Sequence, residues 1–389
     1  VAAMTAPPLS LYVHFPWCVS KCPYCDFNSH ALQGELPAER YIAALEADLE
    51  TQAPLVAGRP IVSVFFGGGT PSLFPPEAIA RVLEHTRGLL GLAPDAEITL
   101  EANPGTIERG RFAGYRDAGV NRVSLGAQTF DAAMLQTLGR IHSPEETRLA
   151  AEELHAAGLA NFNLDLMYAL PGQTPAAALA DVEAALALGP AHVSHYQLTL
   201  EPGTQFAARP PALPDEDSAH VMLEACLDLL FARGYLRYEV SAYARAGRRC
   251  HHNLNYWEFG DYLGIGAGAH GKQSDAGLRC ITRTTRLREP RRYMSAAAQA
   301  PASREVEPSE RPFEFMMNAL RLSDGFAPGL FEARTGLAWS EIEAPIGRLV
   351  ARGLIERSAM NCRPTRHGLD FLNELLLEFM PETRAGAAS

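Results

Sequence analysis

The stretch Tyr12-Val13-His14-Phe15-Pro16-Trp17-Cys18-Val19-Ser20-Lys21-Cys22-Pro23-Tyr24-Cys25 runs from an apolar segment straight into three cysteines spaced C-x3-C-x2-C. Leu11 to Phe15 predicts a first strand, ended by Pro16. Thiolates are soft ligands, and tight cysteine clusters select zinc or iron–sulfur centres. A structural zinc site needs a fourth ligand, and no second CxxC follows. His14 and His30 keep a cysteine–histidine zinc site, or plain packing, as the alternative. Three cysteines can hold three irons of a [4Fe–4S] cube. The fourth iron then stays open to a small chelating ligand.

Working outward, apolar runs alternate with helical periodicity. Strands are predicted at Ile61–Phe66, Glu97–Glu101, Arg122–Leu125, Asn161–Leu166 and His192–Leu198. Helical stretches fall near 37–52, 75–90, 106–117, 131–138, 144–157 and 175–187. Six β/α steps in about 200 residues imply a parallel α/β fold. A closed eight-stranded barrel would need two more units. Pro210 to Pro214 ends the series. A helix is expected at 215–233, with Asp215, Glu216 and Asp217 in its first turn and Cys226 on its apolar side. A short strand follows at Arg237–Ser241, and further strands near 278–286. Residues 301–308 read as a linker. Helices near 313–321, 328–335 and 340–352, two wing strands (353–356 and 361–365) and a helix at 366–379 suggest a small winged-helix-like unit. The expected organisation is therefore 1–210, 211–305 and 306–389.

Polar groups gather just beyond the strands, where barrel-type folds place their chemistry. Gly67-Gly68-Gly69-Thr70 follows the second strand and can bring backbone close to a ligand. Glu101, Gln128 and Asp165 close the third, fourth and fifth strands, and Arg140 follows a short helix. Each alone is also what a solvated loop residue looks like. Glu108, Arg109 and Arg111 lack that placement and read as a solvated face. A second focus is Cys250-His251-His252-Asn253-Leu254-Asn255-Tyr256-Trp257, followed by the glycine series Gly264 to Gly271. Histidine and cysteine can ligate haem iron, and aromatics can cover a porphyrin. A hydrogen-bonded structural turn is the competing reading.

The formal charge of −11 over 389 residues excludes a general nucleic-acid backbone binder. Seven cysteines, an odd number, argue against a disulfide framework. No run of 18 apolar residues occurs, and a cytoplasmic protein is expected.

The cysteine spacing in its context resembles the radical S-adenosylmethionine (SAM) superfamily. Over residues 10–380 the chain resembles the oxygen-independent coproporphyrinogen III oxidase family in its broad sense. The matching stretches are Tyr12 to Phe27, Gly67 to Ser72, Gly126 to Phe130, Asn163 to Gln173 and the C-terminal region. The resemblance implies an open, partial (β/α)6 TIM barrel with a C-terminal, mostly helical, winged-helix-like domain. It implies a [4Fe–4S] cluster on Cys18, Cys22 and Cys25. It places SAM on the open iron, among Tyr12, Phe27, Gly68, Gly69, Thr70, Glu101, Gln128, Arg140 and Asp165. One electron from such a cluster cleaves SAM to methionine and a 5′-deoxyadenosyl radical.

The family has a decarboxylating oxidase branch and a haem-chaperone branch. The oxidase branch continues the cluster motif with a fourth cysteine, where this chain has Phe27. It also carries a longer segment before the first strand, where 11 residues precede Tyr12 here. His252-Asn253-Leu254-Asn255-Tyr256-Trp257 matches the HNxxYW signature of the chaperone branch. The resemblance thus implies a haem chaperone that delivers haem to membrane or respiratory haem proteins, with transient membrane-surface contact. His252 would attach or ligate haem, with Asn253, Tyr256 and Trp257 shaping the site and His251 a rival ligand. The alternative is the oxidase itself, which converts coproporphyrinogen III to protoporphyrinogen IX.

Overall fold

The computed structural model describes residues 6–56, 58–105, 110–275 and 277–381. Six strands form the expected parallel series: β1 (Leu9–Phe15), β2 (Ile61–Gly68), β3 (Leu92–Ala102), β4 (Arg122–Gln128), β5 (Phe162–Tyr168) and β6 (His192–Gln197). They pair in that order, each parallel to the next. Their near-continuous burial is that of strands covered on both faces. Helices α1 (Ala38–Gln52), α2 (Pro76–Leu89), α3 (Phe112–Ala118), α4 (Ala132–Thr137), α5 (Pro144–Ala156) and α6 (Pro175–Ala187) lie between them in sequence. Local chemistry sets their starts. Ser143 and Glu146 form a capping box on α5, and Thr174 caps α6. The outer core holds Phe15, Trp17, Tyr41, Phe66 and Phe74, with Phe15 edge-on to Phe74 at 4.6 Å. Each buried ring of this kind contributes roughly 2–3 kcal/mol.

The helix expected over 106–117 begins at Phe112; residues 106–109, with Glu108 and Arg109, lie outside the described ones. Arg111 is not on a solvated face. It is partly buried and donates to the carbonyls of Ser72 and Leu73 at 3.3 Å.

The sheet continues past both edges of this half-barrel. After α7 (Glu216–Ala232), capped by Asp215, β7 (Leu236–Glu239) and β8 (Ala242–Ala244) extend it antiparallel beyond β6. On the other edge, after α8 (His251–Trp257), β9 (Asp261–Ile265) runs parallel to β1. Antiparallel strands β10 (His270–Ser274), β11 (Ile281–Thr285) and β12 (Ala302–Glu305) follow. The glycine series is thus strand and turn packed on backbone. A Cβ on Gly266 would fall 2.4 Å from the His14 carbonyl oxygen. The stretch expected as a linker, 301–308, carries β12, hydrogen-bonded to β11.

Charges tie this extension to the half-barrel. Asp48 of α1 accepts from Arg286, Tyr293, Gln52 and the Gly266 N–H. Asp261 pairs with Lys272 at 3.0 Å and Arg59 at 2.8 Å. A second core forms around Phe315, Phe326, Phe331, Ile342, Ile346 and Leu349, and includes Phe259 and Ile281 from the extension. It is built from α10 (Arg311–Ala319), α11 (Pro328–Thr335) and α12 (Ser340–Ala351), while the preceding α9 (Pro290–Ala296) packs its Tyr293 into the first core. The wing pairs β13 (Ile355–Arg357) with β14 (Cys362–Pro364), and Phe326 bridges to Cys362. No helix among the described residues is long and apolar enough to cross a membrane.

Candidate functional site

The parallel strands present alternate residues to the inside of the half-barrel, and there they are mostly polar. The C-terminal ends of the strands surround a cavity of about 320 Å³. Cys18, Cys22, Cys25, Phe27, Gly68, Gly69, Thr70, Glu101, Gln128, Arg140 and Asp165 all line it. Tyr12 lies just below, stacked on Phe65, its hydroxyl 2.9 Å from His14 Nδ1.

The cysteine loop is closed by short-range contacts. The His30 N–H donates to the Pro16 carbonyl and the Leu32 N–H to Cys18. Lys21 donates to the carbonyls of Phe27 (3.1 Å) and Ser29 (3.0 Å). Asn28 pins the loop to the sheet extension by donating to the carbonyls of Ala267 and Arg288. His14 Nε2 meets the Asn28 carbonyl at 2.9 Å. Phe27 stands at the rim, 59% exposed.

The glycine loop serves this closure. The Gly69 and Thr70 N–H groups donate to the carbonyls of Phe15 and Trp17. A Cβ on Gly69 would fall 2.6 Å from the Trp17 carbonyl oxygen. Gly68 has φ +115° and its N–H donates to Glu101 at 3.0 Å. These N–H groups are therefore used within the chain rather than held out to a ligand.

Charge in the cavity is divided. Arg140 lies on the cysteine side, donating to Gly126 O (2.8 Å), Asn103 Oδ1 (2.5 Å) and Cys22 Sγ (3.8 Å). Glu101 and Asp165 form an acidic wall. Burial, then the neighbouring Asp165 charge, pushes the Glu101 carboxyl up to about 8. Burial also raises Asp165, against hydrogen bonds from Asn163, Ser194 and Ser124. Gln128 holds a left-handed φ of +66° at the end of β4, and its Oε1 accepts from Tyr196. A buried acidic pair is stabilised by a cationic ligand, and soft thiols beside an arginine suit a metal cluster. Among the described residues no three His, Cys, Asp or Glu are placed to hold a single metal ion.

The second focus is not at this mouth. Helix α8 plugs the half-barrel from below. The His251 and His252 N–H groups each donate to Glu97 at 3.1 Å, so a carboxylate caps the helix. Cys250 Sγ also reaches Glu97, and burial pushes its thiol up to about 12. His252 is 1% exposed, with Nδ1 2.9 Å from Ser63 Oγ and Nε2 2.9 Å from the Tyr256 hydroxyl. Burial, then Arg122, lowers its imidazole to about 3, so it is neutral. Ligation of iron by His252 would require breaking one of these bonds and opening the plug. His251 is exposed, and Asn253 is partly buried. Tyr256 and Trp257 line a second cavity, on the outer side of the plug.

Asn103, Tyr196 and Ser124 belong to the first cavity, although the sequence did not single out their side chains. The rule that picked Glu101, a polar residue at a strand end, also covers Asn103 and Tyr196. Glu97 and Asn28 carry no such signal, because their partners lie far along the chain.

A half-barrel with three cysteines and an acidic wall at the carboxyl ends of its strands defines a protein of the radical SAM class. Residues 12–185 match the Radical SAM superfamily and residues 306–371 the HemN C-terminal domain. The chain is 49% identical to "Heme chaperone HemW" of Escherichia coli over 97% of its own length and 99% of that protein. It is 47% identical to the Haemophilus influenzae protein of the same name, with the same coverage. Its fold is that of the Escherichia coli coproporphyrinogen III oxidase (HemN) structure, with a TM-score of 0.81 at 24% identity over 97% of this chain and 91% of that one. The chain belongs to the HemW family of radical SAM proteins.

Proposed function

We propose that this chain is a haem chaperone that carries a [4Fe–4S] cluster and SAM, and hands haem to membrane or respiratory haem proteins. The observation that carries the reading is 49% identity, along nearly the whole chain, to a protein named as a heme chaperone. In this reading Cys18, Cys22 and Cys25 hold the cluster, and Arg140 offsets thiolate charge beside Cys22. Glu101 and Asp165 face the cationic part of SAM, while Gln128 and Tyr196 offer polar contacts to its ribose. When bound, cluster and SAM supply one-electron reductive chemistry. The chain's own residues orient them: Gly69 lets the cysteine loop close onto β1, and Asn28 holds that loop against the extension. On the outer side of the plug, Tyr256 and Trp257 contribute aromatic surface to the haem, and His252 fixes Tyr256 through its hydroxyl.

Phe27, in place of a fourth cysteine, supports the chaperone over the decarboxylating oxidase. The test is transfer. Chain loaded with haem is mixed with the haem-free form of a respiratory membrane haem protein. Transfer to that acceptor faster than from free haem is expected. Haem retained by the chain, or delivered no faster than free haem, would count against the reading.

A further inference from the structure

A row of polar side chains ties together two of the three cysteines in the loop. Arg140 donates through Nη1 to Cys22 Sγ at 3.8 Å and through Nη2 to Asn103 Oδ1 at 2.5 Å. Asn103 Nδ2 in turn donates to Thr70 Oγ1 at 2.8 Å. The Thr70 hydroxyl is the side-chain hydrogen-bonding partner of the Cys18 sulfur. These five residues line both the first cavity and an adjoining one of about 80 Å³, so the row is a wall common to the two. Cys25 stands outside it, with Ser29 Oγ 3.6 Å from its sulfur.

The direction of each bond in the row follows from Arg140. A guanidinium only donates, so the Asn103 atom facing it is the carbonyl oxygen, and the amide nitrogen faces Thr70. Thr70 Oγ1 then accepts, and its own proton is left for another acceptor. Thr70 is 2% exposed, which keeps bulk water from that proton. It precedes the turn Pro71–Leu73, yet its side chain makes no capping bond there. The Cys18 sulfur is the acceptor left beside it. An aspartate in place of Asn103 would accept from both neighbours and draw the hydroxyl proton to itself, away from the sulfur.

We infer that Asn103 is a positioning residue that aims the Thr70 hydroxyl at Cys18 and the Arg140 guanidinium at Cys22, and so raises the reduction potential of the cluster those sulfurs hold. The inference rests on the cluster reading above. A donor to a thiolate ligand draws negative charge off the cluster, and that counts for more once an electron has been added. Asn103 itself makes no hydrogen bond to either sulfur among the described residues; both effects pass through its neighbours.

The test reads the midpoint potential of the anaerobically reconstituted full chain, by titration with dithionite followed by electron paramagnetic resonance. Asn103→Leu should lower the ratio of reduced to oxidised cluster about tenfold at a fixed ambient potential, a shift of about 59 mV for one electron. Thr70→Val should lower it in the same direction, and Thr70→Ser should leave it as in wild type. Combined with Thr70→Val, Asn103→Leu should shift the potential less than it does alone. Ser29→Ala, on the cysteine outside the row, should add to it in full. Asn103→Asp, which keeps the Arg140 contact, serves if the leucine variant takes up no cluster, and its shift should also shrink beside Thr70→Val. A wild-type potential in an Asn103 variant that holds its cluster, or shifts that add in full with Thr70→Val, would overturn the assignment alone. So would loss of the cluster from both Asn103 variants, which marks a structural role. Failure of the wild type to take up iron would overturn the cluster reading and the assignment with it.

Discussion

Glu101 lines the first cavity, and its charge depends on what fills it. Its carboxyl is raised from 4.5 to about 8 by burial and by Asp165. A carboxyl raised in the folded state stabilises the fold fully below pH 4.5 and loses that contribution as pH climbs through about 8. The chain without SAM should therefore melt at a lower temperature at pH 8.5 than at pH 6, by more than Glu101→Gln does. A bound cation favours the carboxylate, so SAM affinity should rise with pH, by at most about tenfold per unit below pH 8. Calorimetric titration of both chains checks this; equal pH slopes would rule out Glu101 as the facing group. Gly69→Ala is a second test at this scale, since a Cβ meets backbone at 2.6 Å rather than a movable side chain. Iron and sulfide content after reconstitution should fall by half or more while far-ultraviolet circular dichroism stays unchanged. Both residues were legible from position: a carboxylate at a strand end, and a glycine run after a buried strand. The state of His252 was not. The sequence shows a histidine beside aromatics, but not that Ser63, nearly 200 residues earlier, takes its Nδ1.

At the scale of elements, α8 is seven residues long, too short to be stable alone in water. Glu97 and the half-barrel interior hold it. Glu97→Ala leaves the His251 and His252 N–H groups without their acceptor, with His252 buried, and should cost about 2–3 kcal/mol by urea unfolding. A loss under about 0.5 kcal/mol would show that the cap carries little. This element was not legible as a helix, because two turns give too few residues for a 3.6-residue period to stand out. The longer helices were. Periodicity located α1, α2, α5, α6 and α7 to within a few residues, and Asp215 proved to be the cap of α7.

For the whole molecule, the six-strand half-barrel was readable from its alternation of apolar strands and helices. The twelve-strand continuity of the sheet was not. β12 has four exposed residues, Ala302-Ser303-Arg304-Glu305, with no apolar alternation to mark it. What welds the extension on is buried charge. Lys272 is 1% exposed against a fully buried Asp261, so Asp261→Ala leaves a buried amine without its counter-ion and Arg59 without its partner. That variant should lose about 3–5 kcal/mol, read as a lower urea midpoint for the whole chain. A separate early transition, with the half-barrel unaffected, would show instead that the extension unfolds by itself.

The most direct measurement of the central claim is made on the anaerobically reconstituted full chain. Haem is titrated spectroscopically, and SAM-dependent turnover of coproporphyrinogen III is assayed on the same sample. Saturable uptake of one haem per chain without decarboxylation is the predicted result. Decarboxylation to protoporphyrinogen with no specific haem uptake would contradict it.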